Sequence, residues 1–142
     1  MTLRPEVVLE RLRKLRSVVR NLSAYRAIDP QTFSADFRSQ WVVERGLQLA
    51  AEVVFDIGNH VLSGALNVTP QDYRDVIARL TEHGVITAEL GDRLHGLGGF
   101  RNLLVHAYLD IDSRRVYEFV RTRLDDFTDF AEQIEGWLDK QG

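Results

Sequence analysis

The sequence predicts an all-α fold, an up-and-down bundle of about five helices. Apolar side chains recur every three to four residues in five long segments, which is the spacing of a helix with one buried face. No segment alternates between apolar and polar residues over the length that a strand needs. The chain has 142 residues, of which 44% are hydrophobic. That is enough for a single domain with its own core, spanning residues 1–142.

The first predicted helix runs from Pro5 to about Ala27. Its apolar residues follow the helical spacing: Val8, Leu12, Leu15, Val18 with Val19, and Leu22. Pro5 suits the first turn of a helix, where no backbone N–H is needed as a donor. Met1–Arg20 carries six basic and two acidic residues, a net charge of +4, and most of its basic residues fall between the apolar ones.

The second predicted helix runs from about Asp36 to Ser63, after a break at Asp29-Pro30. It is apolar almost all round, which indicates a buried helix. One polar stripe crosses it at a spacing of three and four residues: Arg45, Gln48, Glu52, Asp56 and Asn59 with His60. Glu52 and Asp56 are candidates to line a functional cleft. The alternative is that they form the solvated edge of a buried helix.

The third predicted helix opens at Thr69-Pro70-Gln71-Asp72 and ends near His83-Gly84. Thr69 is suited to the N-cap, Pro70 to the first helical position and Asp72 to the third, close to a capping box. Gly84 is suited to the position after the helix, where a left-handed backbone is common.

The fourth predicted helix runs from Thr87 to about Tyr108 and the fifth from Ser113 to about Leu138. The apolar positions of the fifth are Val116, Phe119, Val120, Leu124, Phe127, Phe130 and Ile134. Three glycines interrupt the fourth: Gly96, Gly98 and Gly99. They can mark a break in the helix, or let another part of the chain or a phosphate approach closely. No strand precedes them, so they are not a nucleotide-binding fingerprint.

Composition excludes several classes of site. The chain has no cysteine, which rules out disulfides and thiolate metal sites. Asp92 and His95 form a single D-x-x-H pair, whereas a di-iron bundle needs two such pairs and further carboxylates. We therefore predict no metal and no cofactor. No signal peptide and no membrane-spanning run is visible, so the expected location is the cytoplasm. The net charge of −3 argues against a general nucleic-acid binder.

The fourth helix carries a polar set within the apolar stretch G-G-F-R-N-L-L-V-H-A-Y: Arg101, Asn102, His106 and Tyr108. On a helix Asn102 and His106 share a face, whereas Arg101 and His106 lie about 140° apart. Histidine can act as acid or base near neutral pH, and arginine is a planar cation matched to phosphate. This chemistry fits RNA cleavage without a metal, which needs a base, an acid and a cation.

A single histidine cannot act as both base and acid in one forward step. Two copies across a dimer axis can, so this chemistry favours a two-fold interface with two arginines and two histidines around one cleft. The alternative is structural: a partly buried histidine with satisfied hydrogen bonds, and an arginine stacked on an aromatic ring.

The stretch G-F-R-N-L-L-V-H-A-Y resembles the R-x4-6-H motif of HEPN domains. In its R-x4-H-x-Y form it is similar to the HepT toxins of HepT–MntA toxin–antitoxin pairs. Glu44–His60, E-R-G-L-Q-L-A-A-E-V-V-F-D-I-G-N-H, resembles the second helix of that family. The order T-P-Q-D-Y-R-D-V-I followed by L-T-E-H-G-V-I resembles its third helix. The resemblance therefore covers most of the chain.

The resemblance implies a HEPN-type bundle and a metal-independent endoribonuclease toxin, active as a homodimer, with tRNA as the expected substrate class. By motif position, Arg101 would stabilise the phosphate, His106 would be the acid–base residue, and Asn102 would orient either group. Tyr108 would be the tyrosine to which a MntA-type nucleotidyltransferase antitoxin attaches AMP. HepT sequences commonly have an acidic residue before this tyrosine, where this chain has Ala107.

A rival interpretation is a binding module. HEPN-like bundles also serve as non-catalytic helical partners of nucleotidyltransferases. Arg101 and His106 would then contact a nucleotide or the partner without cutting RNA. The intact set of Arg101, Asn102 and His106 favours the nuclease, because a purely structural partner has no need of it. A third interpretation is a plain bundle without a site.

Overall fold

The computed structural model describes residues 3–106, 109 and 111–141. The helices are α1 (Pro5–Leu22), α2 (Pro30–Ala35), α3 (Phe37–Ala65), α4 (Tyr73–Glu82), α5 (Ala88–Arg93), α6 (Leu97–His106), α7 (Ser113–Thr122) and α8 (Leu124–Gln141). A 3-10 turn at Ser23–Tyr25 follows α1. No strand occurs in these ranges, so the predicted all-α class is confirmed.

Helix α3 is the centre of the bundle. It is 29 residues long and packs against α1, α2, α4, α6, α7 and α8. The side chains between these helices form one core, and its largest fully buried members are Phe33, Phe127, Phe130, Leu12, Leu15, Leu22, Leu47, Ile57, Leu62, Leu80, Leu90 and Leu94. Each such side chain contributes about 1.5–3 kcal/mol when it is removed from water. Within the described ranges, no helix is both long and apolar enough to cross a membrane.

Short polar side chains start most of the helices. Asp29, Asp36, Asp72, Thr87 and Asp112 each accept a hydrogen bond from a backbone N–H of the first turn that follows. The expected start of the third predicted helix at Thr69 is wrong. The helix, α4, begins at Tyr73, because the Asp72 carboxylate accepts from the Asp75 N–H at 2.8 Å and a charged acceptor makes a strong cap. Gly84 has a φ of 73°, as expected for the residue that ends this helix.

The fourth and the fifth predicted helix each correspond to two helices in the structure. A turn at residues 94–96 separates α5 from α6, where backbone bonds tighten to i→i+3, such as the one from Leu97 N–H to the Leu94 carbonyl. Gly96 lies in this turn, which is the helix break that the glycines allowed. Arg123 separates α7 from α8, and no glycine or proline marks that position. The expected end of the fourth helix at Tyr108 lies outside the described residues.

Candidate active site

Helix α6 holds the side chain of Arg101 against α3 and α4. Its Nη2 donates to Oε1 of Glu52 at 3.2 Å, and its Nη1 donates to Oδ1 of Asn102 at 3.2 Å. The guanidinium carbon lies 5.2 Å from the centre of the Tyr73 ring, within the range of a cation–π contact. The side chain is 19% exposed. Three neighbours therefore fix the orientation of this cation while one edge stays open to solvent.

The two candidate carboxylates of the polar stripe contact different helices. Glu52 accepts from Arg101 and also from Nε2 of Gln48, at 3.2 Å, so a side chain from the preceding turn of α3 holds its carboxylate. Asp56 forms an ion pair with Arg11 of α1. The structure therefore brings Glu52, and not Asp56, into contact with the arginine of the motif.

Tyr73 and Gly98 shape the wall behind Arg101. The Tyr73 ring stacks on Phe55 with a centroid distance of 4.4 Å, so the ring is held between a core side chain and the guanidinium. A Cβ on Gly98 would lie 2.7 Å from the Cβ of Tyr73, closer than real Cβ contacts come. The glycine therefore permits the close approach of α4 to α6. Sequence reasoning did not place Tyr73 beside Arg101, because their contact exists only once these two helices pack.

His106 lies at the opposite end of α6 from the glycines. It is the last residue of the helix and its side chain is exposed. Among the described residues, neither a hydrogen bond nor an ion pair joins it to Arg101, Asn102 or Glu52. Within one chain, the structure therefore brings Arg101, Asn102 and Glu52 into contact and shows no such contact for the imidazole among the described residues. Tyr108 lies outside the described residues.

Two adjoining grooves open beside this cluster. One has a volume of about 400 Å³ and the other of about 250 Å³, and both are lined by Asp72, Tyr73 and Asn102. Gly98 and Gly99 line the smaller one, where the absence of side chains leaves room above α6. Ligand pockets commonly have volumes of this order or larger. Arg101 itself is not among the residues that line these two grooves, but Asn102 and Tyr73, which contact it, line both. The grooves therefore adjoin the residues that orient a planar cation, and such a cation suits an anionic ligand such as a phosphodiester.

Comparison with known proteins identifies the family. The family model described as "Ribonuclease HepT-like" matches residues 8–134. The "tRNA nuclease HepT" of Aphanizomenon flos-aquae is 27% identical over 134 residues, which are 94% of this chain and 91% of that protein. The "mRNA nuclease HepT" of Shewanella oneidensis is 34% identical over 107 residues, covering 75% of this chain and 80% of the relative.

Solved structures agree with the sequence comparisons. The tri-AMPylated HEPN toxin of Shewanella oneidensis, in complex with MNT antitoxin, has a TM-score of 0.82 and 28% identity, covering 92% of this chain and 97% of that one. A toxin–antitoxin structure with AMP-PNP has a TM-score of 0.83 and 27% identity, covering 92% and 98%. The predicted resemblance to HEPN-domain HepT proteins is confirmed, and with it the enzyme class: the chain belongs to the HepT-like ribonuclease family.

Proposed function

We propose that this chain is the toxin of a toxin–antitoxin pair, a metal-independent endoribonuclease that acts in the cytoplasm as a homodimer. Its substrate is tRNA or another RNA, and its antitoxin is a nucleotidyltransferase of the MntA type. Two relatives named as tRNA and mRNA nucleases support the reaction class. Solved relatives described as a toxin with MNT antitoxin, and as a toxin–antitoxin with AMP-PNP, support the partner.

The chemistry that we assign is attack of a ribose 2′-hydroxyl on the neighbouring phosphorus. The O–P bond that forms closes a cyclic phosphate, and the bond to the 5′ oxygen of the next nucleotide breaks. His106 of one protomer takes the hydroxyl proton, and His106 of the other gives a proton to the leaving oxygen. Arg101 stabilises the charge that grows on the two oxygens bound only to phosphorus. Asn102, which already contacts the guanidinium, orients it.

The orientation of Arg101 is the observation that carries this proposal. Its cation is held by Glu52, Asn102 and the Tyr73 ring before any substrate is present. A preorganised cation is what transition-state stabilisation requires, since no reorganisation is then needed during the reaction. One imidazole cannot be base and acid in the same step, which supports the homodimer, because a second copy can supply another imidazole to the same cleft.

An exposed apolar patch also supports association with a partner. Phe37 and Trp41, on the first turns of α3, are 68% and 66% exposed, and Val42 beside them is 51% exposed. The two aromatic rings stack with a centroid distance of 6.4 Å. Neighbouring large apolar side chains on a surface are typical of sites of protein contact. The patch lies on α3, the helix that also carries Glu52. A partner bound at the patch would therefore contact the helix whose Glu52 holds Arg101.

The first experiment is cleavage of total tRNA by the purified protein in EDTA, beside His106→Ala and Arg101→Ala. We expect cutting by the wild type and none by either variant, with all three proteins dimeric by light scattering and unmodified by mass spectrometry. Full activity of either variant would refute the residue assignment. A wild-type dimer that binds a nucleotidyltransferase and cuts no RNA would instead favour the non-catalytic binding module.

Silencing is assigned to Tyr108, two residues after His106. An adenylyl group there would bring a phosphate and a nucleoside to the cleft, and its negative charge would compete with RNA for Arg101. We expect Tyr108→Phe to cut RNA at the wild-type rate and to resist inactivation by the antitoxin and ATP. Mass spectrometry that finds the adenylyl group on another residue would contradict this assignment.

A further inference from the structure

A second groove lies on a different face of α6 from Arg101, between α5 with α6 on one side and α7 with α8 on the other. It consists of two adjoining spaces of about 490 and 190 Å³, which share Phe100, Arg115, Phe119 and Arg123 in their lining. None of these residues belongs to the Arg101 cluster. The total volume is that of a pocket for a ligand of nucleotide size or larger.

The floor of this groove is aromatic. Phe100 and Phe119 stack with a centroid distance of 4.2 Å and an angle of 4° between their planes. Phe119 also packs on Phe127 at 6.0 Å, so the core holds the ring in place. Phe119 is only partly buried, whereas Phe100 is 5% exposed. An aromatic ring fixed by the core and open at one side is a platform on which a base can stack.

The rim of the groove carries arginines, and each of the three carboxylates that line it has an ion-pair partner: Asp126, Asp112 and Glu118, which lies 3.9 Å from Arg121. Asp126 is buried and bound to Arg93 at 2.7 Å and to Arg123 at 3.3 Å. Asp112 caps α7 and accepts from the Arg114 N–H at 3.0 Å, a bond that lowers the pKa of this carboxyl. Arg114 and Arg115 are exposed. Nε of Arg114 lies 3.5 Å from Oδ1 of Asp112, which leaves its terminal nitrogens unpaired among the described residues, and no ion pair joins Arg115 to residues 3–106, 109 or 111–141. Arginine donors are therefore available at the rim to an outside anion.

The position of the groove connects it to the site. Phe100 immediately precedes Arg101 in α6. Of these two successive side chains, that of Phe100 lines the second groove and that of Arg101 contacts Glu52 in the Arg101 cluster. Helix α7, which supplies Arg114 and Arg115, begins seven residues after His106. A flexible chain of alternating bases and phosphates can contact both places, because each lies along the same helix.

We propose that this second groove binds a single-stranded segment of the RNA substrate, with its phosphates contacted by Arg114 and Arg115 and a base stacked on Phe119. The inference rests on the proposed function for the identity of the polymer. The chain as a whole carries a net charge of −3, so attraction to RNA must come from local arginines. A free nucleotide offers the same phosphate and base, so binding of AMP and of an RNA-like oligonucleotide must be measured separately.

The test is binding of a 2′-O-methyl oligonucleotide, which cannot be cut because it lacks the 2′-hydroxyl, measured by fluorescence anisotropy at several salt concentrations. We expect Arg115→Glu to weaken binding about tenfold and to reduce the slope of log K against log salt by about 0.7 for each phosphate that Arg115 neutralises in the wild type. Phe119→Leu keeps an apolar side chain and should weaken binding about fivefold with an unchanged slope. Arg13→Glu is the matched control, an exposed arginine of α1 with the same charge change.

Equal effects of Arg115→Glu and Arg13→Glu would overturn the proposal, since the effect would then reflect total charge. It would also be overturned if Arg115→Glu weakened binding of AMP and left the affinity for the oligonucleotide unchanged, which would assign the groove to a free nucleotide. Failure of the wild type to cut either tRNA or mRNA would refute the proposed nuclease, whereas loss of oligonucleotide binding in Arg115→Glu would still test the groove separately. Far-ultraviolet circular dichroism confirms that each variant is folded.

Discussion

Arg93 and Arg101 both pair with carboxylates, and the two arginines differ in a way that burial does not reveal. Arg93 binds Asp126 at 2.7 Å and Asp129 at 2.8 Å, with Glu89 at 3.7 Å. Arg101 has one carboxylate within reach among the described residues, Glu52 at 3.2 Å. Yet Arg93 is the more exposed of the two side chains, at 31% against 19%.

The difference lies in how each charge is balanced. Hydrogen bonds to Asp129 and Asp126 raise the pKa of Arg93, because both carboxylates stabilise its charged form. Its positive charge is therefore paired within the fold. Arg101 is held by a partly exposed carboxylate, an amide and a ring. Its two hydrogen bonds are 3.2 Å long, which is longer than the 2.7 and 2.8 Å bonds of Arg93 and than most charge-assisted hydrogen bonds. A structural arginine such as Arg93 is paired with several carboxylates, whereas Arg101 is oriented by a single carboxylate, an amide and a ring.

The largest expected effect is on catalysis. Arg101→Ala and His106→Ala should each reduce tRNA cleavage about 100-fold or more, because each removes a group that we propose to act in the transition state. The free energy of unfolding of Arg101→Ala should stay within about 1 kcal/mol of wild type, since Glu52 can be solvated. Single-turnover cleavage and urea denaturation measure the two quantities. A large loss of stability with activity per folded molecule preserved would make Arg101 a structural residue like Arg93.

The second expected effect falls on stability. Arg93→Ala leaves Asp126, whose side chain is 9% exposed, with Arg123 as its remaining arginine partner among the described residues. We expect the free energy of unfolding to fall by about 2 kcal/mol, the cost of a buried and poorly satisfied charge. Urea denaturation of Arg93→Ala beside Arg101→Ala makes the comparison directly. Equal stability of the two variants would show that the difference in charge balance has no energetic consequence.

The third expected effect compares two neighbouring glycines. A Cβ at position 98 would lie 2.7 Å from the Tyr73 Cβ, whereas one at position 99 would meet nothing within 4 Å. Gly98→Ala should destabilise the protein by about 1–2 kcal/mol and lower cleavage, because α4 and the ring beside Arg101 must move. Gly99→Ala should be neutral or stabilise by up to about 1 kcal/mol through its helix propensity. Thermal denaturation distinguishes them, and similar effects at both positions would argue against this close contact.

The smallest expected effect concerns Glu52, which acts through Arg101. Glu52→Ala should lower kcat about fivefold, the equivalent of one orienting hydrogen bond, with little change in KM. Glu52→Gln keeps an oxygen acceptor for Arg101 and should restore most of that loss. A loss with Glu52→Gln as severe as with Arg101→Ala would show that the charge of Glu52 itself takes part in the reaction.

The sequence predicted several local features correctly because they depend on short-range chemistry. The apolar spacing predicted helices from Pro5 to about Ala27 and from about Asp36 to Ser63; the first ends earlier, at Leu22, and the second agrees with α3 within two residues. Gly84 has the left-handed backbone expected of the residue that ends a helix. Local chemistry did not predict where a helix starts when two residues near its start can both act as the N-cap. Thr69 and Asp72 are both suitable N-caps, and the helix starts at Asp72. The break at Arg123 had no local signal, since nothing in that residue type stops a helix.

By itself, the sequence determined the all-α class, the HEPN-type motif with its family, and the identity of Arg101, Asn102 and His106 as the residues to test. Helical periodicity and motif spacing are properties of neighbours along the chain, so one sequence contains them. The tertiary structure alone decided that Glu52 contacts Arg101 while Asp56 pairs with Arg11, although both lie on one polar stripe. Helix packing determines these pairs, because α6 lies beside α3 at Glu52 and α1 lies beside it at Asp56.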